Sequence, residues 1–254
     1  WPPEMGFCME LIPLLARHGY RYVVVDSEHL SPVTPMAWHE IRYRPHVARH
    51  GGGEIVVVPR DRELSVAQES GMEADWFVRE VEARTRPCDF EPLVVTATDG
   101  DNGGWFRNLT PGANFWDAFH APLMERVRRD ESAGLRPCFI HDYIDRQGVH
   151  GEVIVRTGAW NTGEHSGTGF VQWTGSAAQR AALRRVAEVS ARVRAERDRV
   201  LRDAAWDEDR LRRIEEAYWR VLRAETSCHF FWGEAWVYRC HEGLDEALRI
   251  LEVR

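Results

Sequence analysis

Carboxyl groups at three places in the sequence are the side chains best suited to chemistry. A Pro-rich entry, Trp1-Pro-Pro-Glu4, holds one carboxylate just before a predicted helix. An apolar run ends in Asp26-Ser-Glu-His29, and a Gly-rich loop, Asp99-Gly-Asp101-Asn-Gly-Gly-Trp105, follows another such run. Parallel α/β folds place their sites at the carboxyl ends of strands, where the last two segments fall. Paired carboxyl groups at such ends indicate general acid, general base or nucleophilic catalysis.

One chemistry that needs such a pair is cleavage of a glycosidic bond with retention. One carboxylate attacks the anomeric carbon, and one carboxylic acid protonates the leaving oxygen. We interpret Glu4 and Asp99 as that pair. The alternative is structural, since Glu4 would also favour a helix N-terminus, Asp99-Gly is a common turn, and Asp26 with His29 would cap a strand end. Aromatic rings near Gly or in loop-like sequence would stack on sugar faces: Trp105, Trp116, Trp160, Trp232 and Trp236.

The elements that must position these residues follow from the apolar pattern. Helices are predicted over residues 10–19, 72–84 and 114–129, and continuous β-branched runs predict buried strands over 22–25, 54–59 and 92–97. Apolar strands that alternate with helices indicate a parallel sheet covered on both faces, by open winding or by barrel closure. The predicted fold class is therefore α/β.

The second half of the chain has a different pattern. Residues 137–172 are rich in Gly, Thr and His, which predicts loops with two short extended pieces, around Phe139-Ile-His-Asp and over 152–156. Residues 176–223 place apolar side chains three and four apart, which is typical of helices packed on one face, with a break near 203–209. An aromatic segment and a last helix follow over 228–253.

Composition narrows the classes of function. The net charge of -7 argues against a nucleic-acid partner, and a neutral substrate fits better. No apolar run reaches the roughly 20 residues that cross a bilayer, which argues against a membrane partner. The five cysteines form no C-x-x-C pair, which predicts reduced thiols and a cytoplasmic location. The chain opens at Trp1 without Met and looks cut from something longer.

The motifs together resemble those of glycoside hydrolase family 57. Trp1-Pro-Pro-Glu4-Met-Gly-Phe, followed by Glu10-Leu-Ile-Pro-Leu-Leu, is similar to the family's nucleophile region. The loop that begins at Asp99 is similar to the D-G-E-N-x-W stretch, with Asp101 in place of Glu. Ser227-Cys228-His-Phe-Phe-Trp232-Gly looks like a later S-D-x-F-W-W-x-G segment, with Cys228 in place of Asp.

This resemblance implies a distorted (β/α)7 barrel followed by helices. It also implies cleavage or transfer of α-1,4 or α-1,6 glucans by double displacement, as in α-amylase, amylopullulanase, 4-α-glucanotransferase and branching enzyme, with no metal or other cofactor. Glu4 would be the nucleophile and Asp99 the acid/base. The expected partner is an α-glucan or maltooligosaccharide. The residues expected to bind it are Trp1, Asp26, His29, Asp101, Trp105, Trp160, His165 and Trp232.

The resemblance also predicts how the chain is divided. The family's first two motifs should lie upstream of Trp1, so residues 1–172 would be the C-terminal part of an incomplete barrel. Residues 173–254 would be a helical subdomain packed on that barrel. Because open strand edges and an open core are costly, we expect the chain alone to be marginal in stability or inactive.

Two rival interpretations come from other classes of protein. His46-Val-Ala-Arg-His50 has a spacing that on a helix would put two imidazoles on one face for zinc, as in a metal-dependent polysaccharide deacetylase. Pro45 before this segment and three Gly after it argue against a long helix there. The second rival is a non-catalytic α-glucan-binding protein that keeps the fold.

Overall fold

The chain forms two compact units, Trp1–Trp160 and Asn161–Arg254. The computed structural model describes residues 1–100, 105, 108–162, 168–202 and 207–252. The functional boundary expected after residue 172 stays a prediction. Among the described residues, no helix combines the length and apolar character that crossing a membrane requires.

The first unit mixes helices and strands, in agreement with the predicted α/β class. Its helices are α1 (Ile12–Arg17), α2 (Trp38–Tyr43), α3 (Arg62–Glu69), α4 (Ala74–Thr85), α5 (Ala121–Arg129) and α6 (Ile140–Gln147). Its strands are β1 (Tyr22–Asp26), β2 (Leu30–Pro32), β3 (His46–His50), β4 (Gly53–Arg60) and β5 (Val153–Val155). Single turns of 3-10 helix cover Pro3–Met5, Met9–Leu11 and Ser27–His29, and a π-helical turn, Trp116–His120, runs into α5.

The central strand of the main sheet is β4. It pairs in parallel with β1 on one side and antiparallel with β3 on the other. The β3–β4 hairpin turns through Gly51 and Gly52, which have φ of 56° and 78°. Two residues with positive φ are what a tight type I′ hairpin turn requires, and Gly adopts them without a steric penalty. The parallel β1–β4 pair confirms the prediction made from the two β-branched runs.

Both faces of this sheet are covered. Val23, Val25 and Val57 pack on one face with Phe7 and Ile12, all in one apolar cluster. Side chains one residue out of phase, Val24 and Val58, belong to a second cluster on the opposite face, together with Met5, Leu93, Ala97, Tyr143 and Trp160. This arrangement explains why the strand sequences are continuously apolar. Alternate side chains of a strand point to opposite faces, and here both faces are buried.

Two predicted elements were wrong. Residues 92–97 are not a ladder-forming strand; their backbone instead makes separate hydrogen bonds, from Leu93 N to the Tyr43 carbonyl (2.9 Å) and from Asp61 N to the Val95 carbonyl (2.8 Å). The piece around Phe139, predicted to be extended, begins helix α6. Residues 140–147 are helical because the helix buries Tyr143, which is 3% exposed and lies in the cluster with Val24 and Val58.

The second unit is helical. Its helices are α7 (Val171–Thr174), α8 (Ala177–Arg202), α9 (Glu208–Ala224), α10 (Cys228–Phe231) and α11 (Val237–Glu252), with a 3-10 turn at Glu234–Trp236. Helices α8 and α9 bury the three-four rows that the sequence predicted, including Val193 and Val221, and Leu244 of α11 belongs to the same cluster. Gly243 lets α11 approach α9, since a Cβ there would lie 3.2 Å from the Ala224 Cβ.

Candidate active site

Glu4 is held in a backbone conformation that side chains other than Gly seldom adopt. Its φ is 56° and ψ is 17°, and the φ of Met5 is 52°. A left-handed residue other than Gly costs on the order of 1–3 kcal/mol, and such residues persist where the surroundings fix them, frequently at active sites. Here the surroundings include Met5 and Phe7, each 1% exposed, which anchor the segment on either side of Gly6.

The segment that carries Glu4 is joined to residues 158–160. Phe7 and Gly158 exchange two backbone hydrogen bonds of 2.8 and 3.0 Å, and Trp160 N donates to the Glu4 carbonyl at 3.1 Å. The indole Nε1 of Trp160 also donates to Glu4 Oε2 at 2.9 Å. Trp160 is 8% exposed, so its ring is fixed by packing. Both the backbone and the carboxylate of Glu4 are therefore positioned by Trp160.

A buried cluster of charges lies at the carboxyl ends of β1 and β4. The parallel register pairs Asp26 with Arg60 at the last positions of the two strands. Asp26 Oδ2 accepts from Arg60 NH1 at 2.8 Å and from Arg62 Nε at 3.0 Å, and its Oδ1 accepts from the Glu28 backbone N–H at 3.0 Å. Asp26 thus both caps the strand end and binds two arginines, so the structural interpretation of this carboxylate is realised.

This cluster reaches both candidate catalytic segments. Arg60 Nε donates to the Ala97 carbonyl at 2.7 Å, two residues before Asp99. The guanidinium carbon of Arg60 lies 5.4 Å from the ring centroid of Trp160, and Arg62 NH2 donates to the Trp160 carbonyl at 2.7 Å. The described contacts therefore run from Glu4 through Trp160 and Arg60 to the segment that carries Asp99.

The segment before Asp99 is fixed mainly by contacts with α3 and the end of β4. The Ala97 N–H donates to Ser65 Oγ at 3.1 Å, and Thr98 Oγ1 donates to Glu69 Oε2 at 3.1 Å. Ala97 is buried, whereas Asp99 is half-buried. Asp99 thus follows an anchored stretch and is partly accessible to solvent.

Charge and burial shift two pKa values in this region. Burial lowers the pKa of the Arg60 guanidinium, and the adjacent Asp26 carboxylate opposes that shift. Burial also lowers the pKa of His29 below 6.5, with Asp26 opposing the shift and Arg156 and Arg62 adding to it. His29 is 2% exposed, and its Nε2 has no hydrogen-bond partner among the described residues. A neutral imidazole is therefore the stable form at neutral pH.

The other residues predicted to bind substrate differ in their exposure and in the unit to which they belong. Trp1 is 62% exposed beside Glu4 in sequence. Trp105 packs its indole with the apolar cluster of α3, α4 and α5, 3.8 Å from where a Cβ on Gly71 would lie. Trp232 belongs to the second unit, where it is 59% exposed and stacks edge-on against Phe231. Asp101 and His165 lie outside the described residues.

The histidine pair of the deacetylase interpretation does not lie on a helix. His46 and His50 are at the two ends of strand β3, with His46 fully buried and His50 exposed. Residues four apart along a strand are about 13 Å apart, too far for one zinc ion. Among the described residues, no three potential ligands from His, Cys, Asp and Glu form a group that could hold a metal ion.

Comparison with known proteins decides the family. The sequence profile of glycosyl hydrolase family 57 matches residues 1–153, more than half of the chain. This chain belongs to glycosyl hydrolase family 57. The match covers both Glu4 and Asp99. Among curated protein sequences, none matches the chain significantly.

Solved structures show the same fold at low sequence identity. A novel exo-type maltose-forming amylase from Pyrococcus sp. ST04 aligns with 99% of this chain and 55% of its own, at a TM-score of 0.68 and 14% identity. The 4-α-glucanotransferase from Thermococcus litoralis aligns with 98% of this chain and 41% of its own, at a TM-score of 0.59 and 17% identity. The family 57 branching enzyme from Pyrococcus horikoshii aligns with 95% and 49%, at a TM-score of 0.60 and 14% identity. This family 57 chain spans about half the length of these structures.

Arg60 and Arg62 are the site residues that the sequence interpretation missed. They directly follow the predicted strand over 54–59, in Val-Pro59-Arg60-Asp61-Arg62. The rule that sites lie after strands applied there as it did at Asp26 and Asp99. Carboxylates and imidazoles are the usual candidates for catalysis, so two arginines carry no comparable signal in the sequence.

Proposed function

We propose that this chain carries the nucleophile and the acid/base of a retaining glycoside hydrolase or transglycosylase that acts on α-1,4 or α-1,6 glucans. The proposed nucleophile is Glu4 and the proposed acid/base is Asp99. The observation that carries the proposal is the conformation and environment of Glu4: a left-handed backbone, the buried side chains of Met5 and Phe7 directly after it, and an indole N–H whose nitrogen lies 2.9 Å from its carboxylate. Membership of family 57 supports it.

In the proposed mechanism, Glu4 attacks the anomeric carbon while Asp99 protonates the glycosidic oxygen of the leaving sugar. Asp99, now a carboxylate, then takes a proton from the incoming hydroxyl, which releases the sugar from Glu4. Water as the acceptor gives hydrolysis, and a sugar hydroxyl gives transfer. The Trp160 N–H orients the attacking carboxylate of Glu4, because Nε1 donates to Oε2 at 2.9 Å.

The substrate class also belongs to this proposal. The structures that share the fold include an amylase, a 4-α-glucanotransferase and a branching enzyme. Exposed aromatic rings at Trp1 and Trp232 are suited to stacking on glucose units. Asp26, His29, Trp105 and Trp160 are buried or half-buried, so we assign them to the support of the site, with Asp101 and His165 kept as proposed substrate-binding residues. A cytoplasmic location is proposed because all five cysteines are free thiols.

The test is the action of the protein, in its full length, on maltoheptaose, with the first-formed product followed by proton NMR. Retention gives the α-anomer first, and inversion gives the β-anomer. Glu4→Gln should lower the rate on the order of 10⁴-fold or more, the scale on which removing a nucleophile acts in other hydrolases. Glu10→Gln is the matched control, since it makes the same chemical change at an exposed residue six positions away and should keep the wild-type rate.

Other outcomes would redirect the assignment. Binding of maltoheptaose without turnover would favour the non-catalytic glucan-binding interpretation. Zinc-dependent release of acetate from an acetylated oligosaccharide would favour the deacetylase. Normal turnover by Glu4→Gln would remove Glu4 as the nucleophile. A 5-fluoro-α-glucosyl fluoride gives an independent check, because a retaining enzyme captures it on the nucleophile, where peptide mass spectrometry would locate it.

A further inference from the structure

Arg60 is the most deeply buried arginine in the candidate site, and it contacts three groups with different roles. It is 4% exposed, and its guanidinium faces Asp26, the Ala97 carbonyl and the ring of Trp160. We propose that Arg60 is a positioning residue that fixes Glu4 and Asp99 relative to each other, through Trp160 on one side and Ala97 on the other. This inference rests on the catalytic roles proposed for the two carboxylates.

On the Glu4 side, Arg60 acts through the indole of Trp160. The guanidinium carbon lies 5.4 Å from the ring centroid, within the range of a cation–π contact. The backbone of Trp160 is held separately, by Arg62 NH2 at its carbonyl (2.7 Å) and by the Glu4 carbonyl at its N–H (3.1 Å). With the backbone and one face of the ring fixed, the Nε1–H direction toward Glu4 Oε2 is fixed as well.

On the Asp99 side, Arg60 acts through the backbone. Residues 92–97 form no ladder with a neighbouring strand, so isolated hydrogen bonds determine where this segment lies. One of these bonds comes from a charged side chain: Arg60 Nε donates to the Ala97 carbonyl at 2.7 Å, two residues before Asp99. Hydrogen bonds from charged donors are about twice as strong as neutral ones. Loss of this bond should therefore let the Asp99 loop shift.

The shape of arginine explains why a lysine would not serve. A planar guanidinium offers donors in several fixed directions, whereas an ammonium group is a single point. Arg60 uses Nε for Ala97, NH1 for Asp26 and its flat face for Trp160. A lysine at this place would keep the charge opposite Asp26 and would lose the simultaneous contacts with Ala97 and Trp160. The conservative substitution therefore separates charge from positioning.

Burial gives a second reason to expect a role beyond stability. Removing two charges from water is unfavourable, and well-packed apolar groups often stabilise a core as much as an ion pair. The pair of Arg60 with Asp26 has exposures of 5% and 1% for the two side chains, so this cost is paid nearly in full. A residue that only filled space here would not need five donors.

The experiment compares Arg60→Lys with wild type and with Arg84→Met. Arg84 is the control because it is also a partly buried arginine with several carboxylate partners, Asp61, Glu63 and Glu80. On maltoheptaose, Arg60→Lys should lower kcat about 100-fold, as a displacement of about 1 Å at a reacting group does. KM should change less than about threefold, because substrate contacts are retained. Arg84→Met should change neither value more than about threefold.

A spectroscopic readout tests the same idea without turnover. The indole N–H signal of Trp160, identified by its loss in Trp160→Phe, reports the hydrogen bond to Glu4 and should shift in Glu4→Gln. Arg60→Lys should shift it too, and Arg84→Met should not. If the wild type binds maltoheptaose without turnover, the proposed function fails, and this signal alone decides the role of Arg60.

Two results would overturn the proposal. One is an Arg60→Lys protein whose kcat and Trp160 signal both match wild type. The other applies if Arg60→Lys does not fold, and it is measured on wild type: the Nε–H of Arg60 should exchange slowly with solvent, because it is buried against the Ala97 carbonyl. Exchange as fast as that of the exposed Arg49 Nε–H would show that the contact does not persist.

Discussion

The cores of the two units differ in kind. Among the described residues, the first unit buries charged and titratable side chains beside its apolar ones: Asp26, His29, His46, Arg60 and Asp61. The core of the second unit, between α8, α9 and α11, is apolar, and the polar side chains buried in the described part of that unit are uncharged: Thr162, Gln179 and Ser190. The core of the first unit therefore includes charged side chains, whereas the described core of the second unit is apolar.

We attribute this difference to the candidate site. Apolar packing stabilises a core without the desolvation cost of a buried ion, which must give up its hydration. In the described part of the helical unit, the core is packed with apolar side chains. In the first unit, Asp26 and Arg60 are buried where β1 and β4 end, and Arg60 there contacts Trp160 and the Ala97 carbonyl. The comparison therefore predicts that the two cores respond differently to the same kinds of change.

The largest effect is expected for Asp26→Asn. This change leaves Arg60 and Arg62 facing an uncharged amide inside the protein. Removing one partner of a buried ion pair typically lowers the free energy of unfolding by about 3–5 kcal/mol. Urea unfolding followed by circular dichroism measures it, with the first unit as the part affected.

The matched control for Asp26→Asn lies in the second unit. Asp245 forms an ion pair with Arg185, but their side chains are 55% and 30% exposed. Asp245→Asn should therefore lower the free energy of unfolding by only about 0–1 kcal/mol, as exposed pairs do. Equal losses in the two variants would remove the distinction between the cores.

A somewhat smaller effect is expected for Leu244→Ala in the apolar core. Leu244 is 0% exposed between α11 and its neighbours, and the change would leave a cavity. Losses of about 2–5 kcal/mol are usual, and we expect about 3 kcal/mol because small residues around it limit collapse. The free energy of unfolding, measured by urea at pH 6 and pH 8, should fall by the same amount at both. A pH-dependent loss would mean that charges reach this core.

The smallest effect for each unit of change is expected from pH, through the titration of two buried histidines. Burial lowers the pKa of His29 and of His46 below 6.5 in the folded state, so the unfolded chain binds these protons first as pH falls. The two neutral histidines therefore contribute to the free energy of unfolding fully above about pH 6.5. This contribution is lost as pH falls toward the folded pKa values, by at most about 1.4 kcal/mol per pH unit for each proton. Urea unfolding between pH 7 and pH 5 measures the slope.

The histidine variants sharpen this test. His46→Gln keeps a donor for the Ile41 carbonyl, which accepts from His46 Nε2 at 3.0 Å, and it should make the slope shallower. An identical slope in wild type and in His46→Gln would show that His46 is not the source. Carboxylates titrate mostly below this window, so they add little to it.

Much of the local structure was predictable from the sequence. The β-branched runs predicted β1 and β4, and three-four spacing predicted the long helices of the second unit, because both signals lie within a few neighbouring residues. The failures were the segments at 92–97 and around Phe139. The first is apolar enough for a strand but forms no ladder, and the second becomes helical so that Tyr143 is buried. Both outcomes depend on partners far away in the chain.

The candidate site divides in the same way. The sequence by itself placed Asp26 at the end of a strand, and its motifs pointed to the family and to Glu4 and Asp99 as catalytic candidates. Only the tertiary structure decided that Asp26 faces Arg60 and that Trp160, 156 positions from Glu4, donates to it. The physical reason is that strand register and loop packing bring these side chains together, and neither is encoded in spacing along the chain.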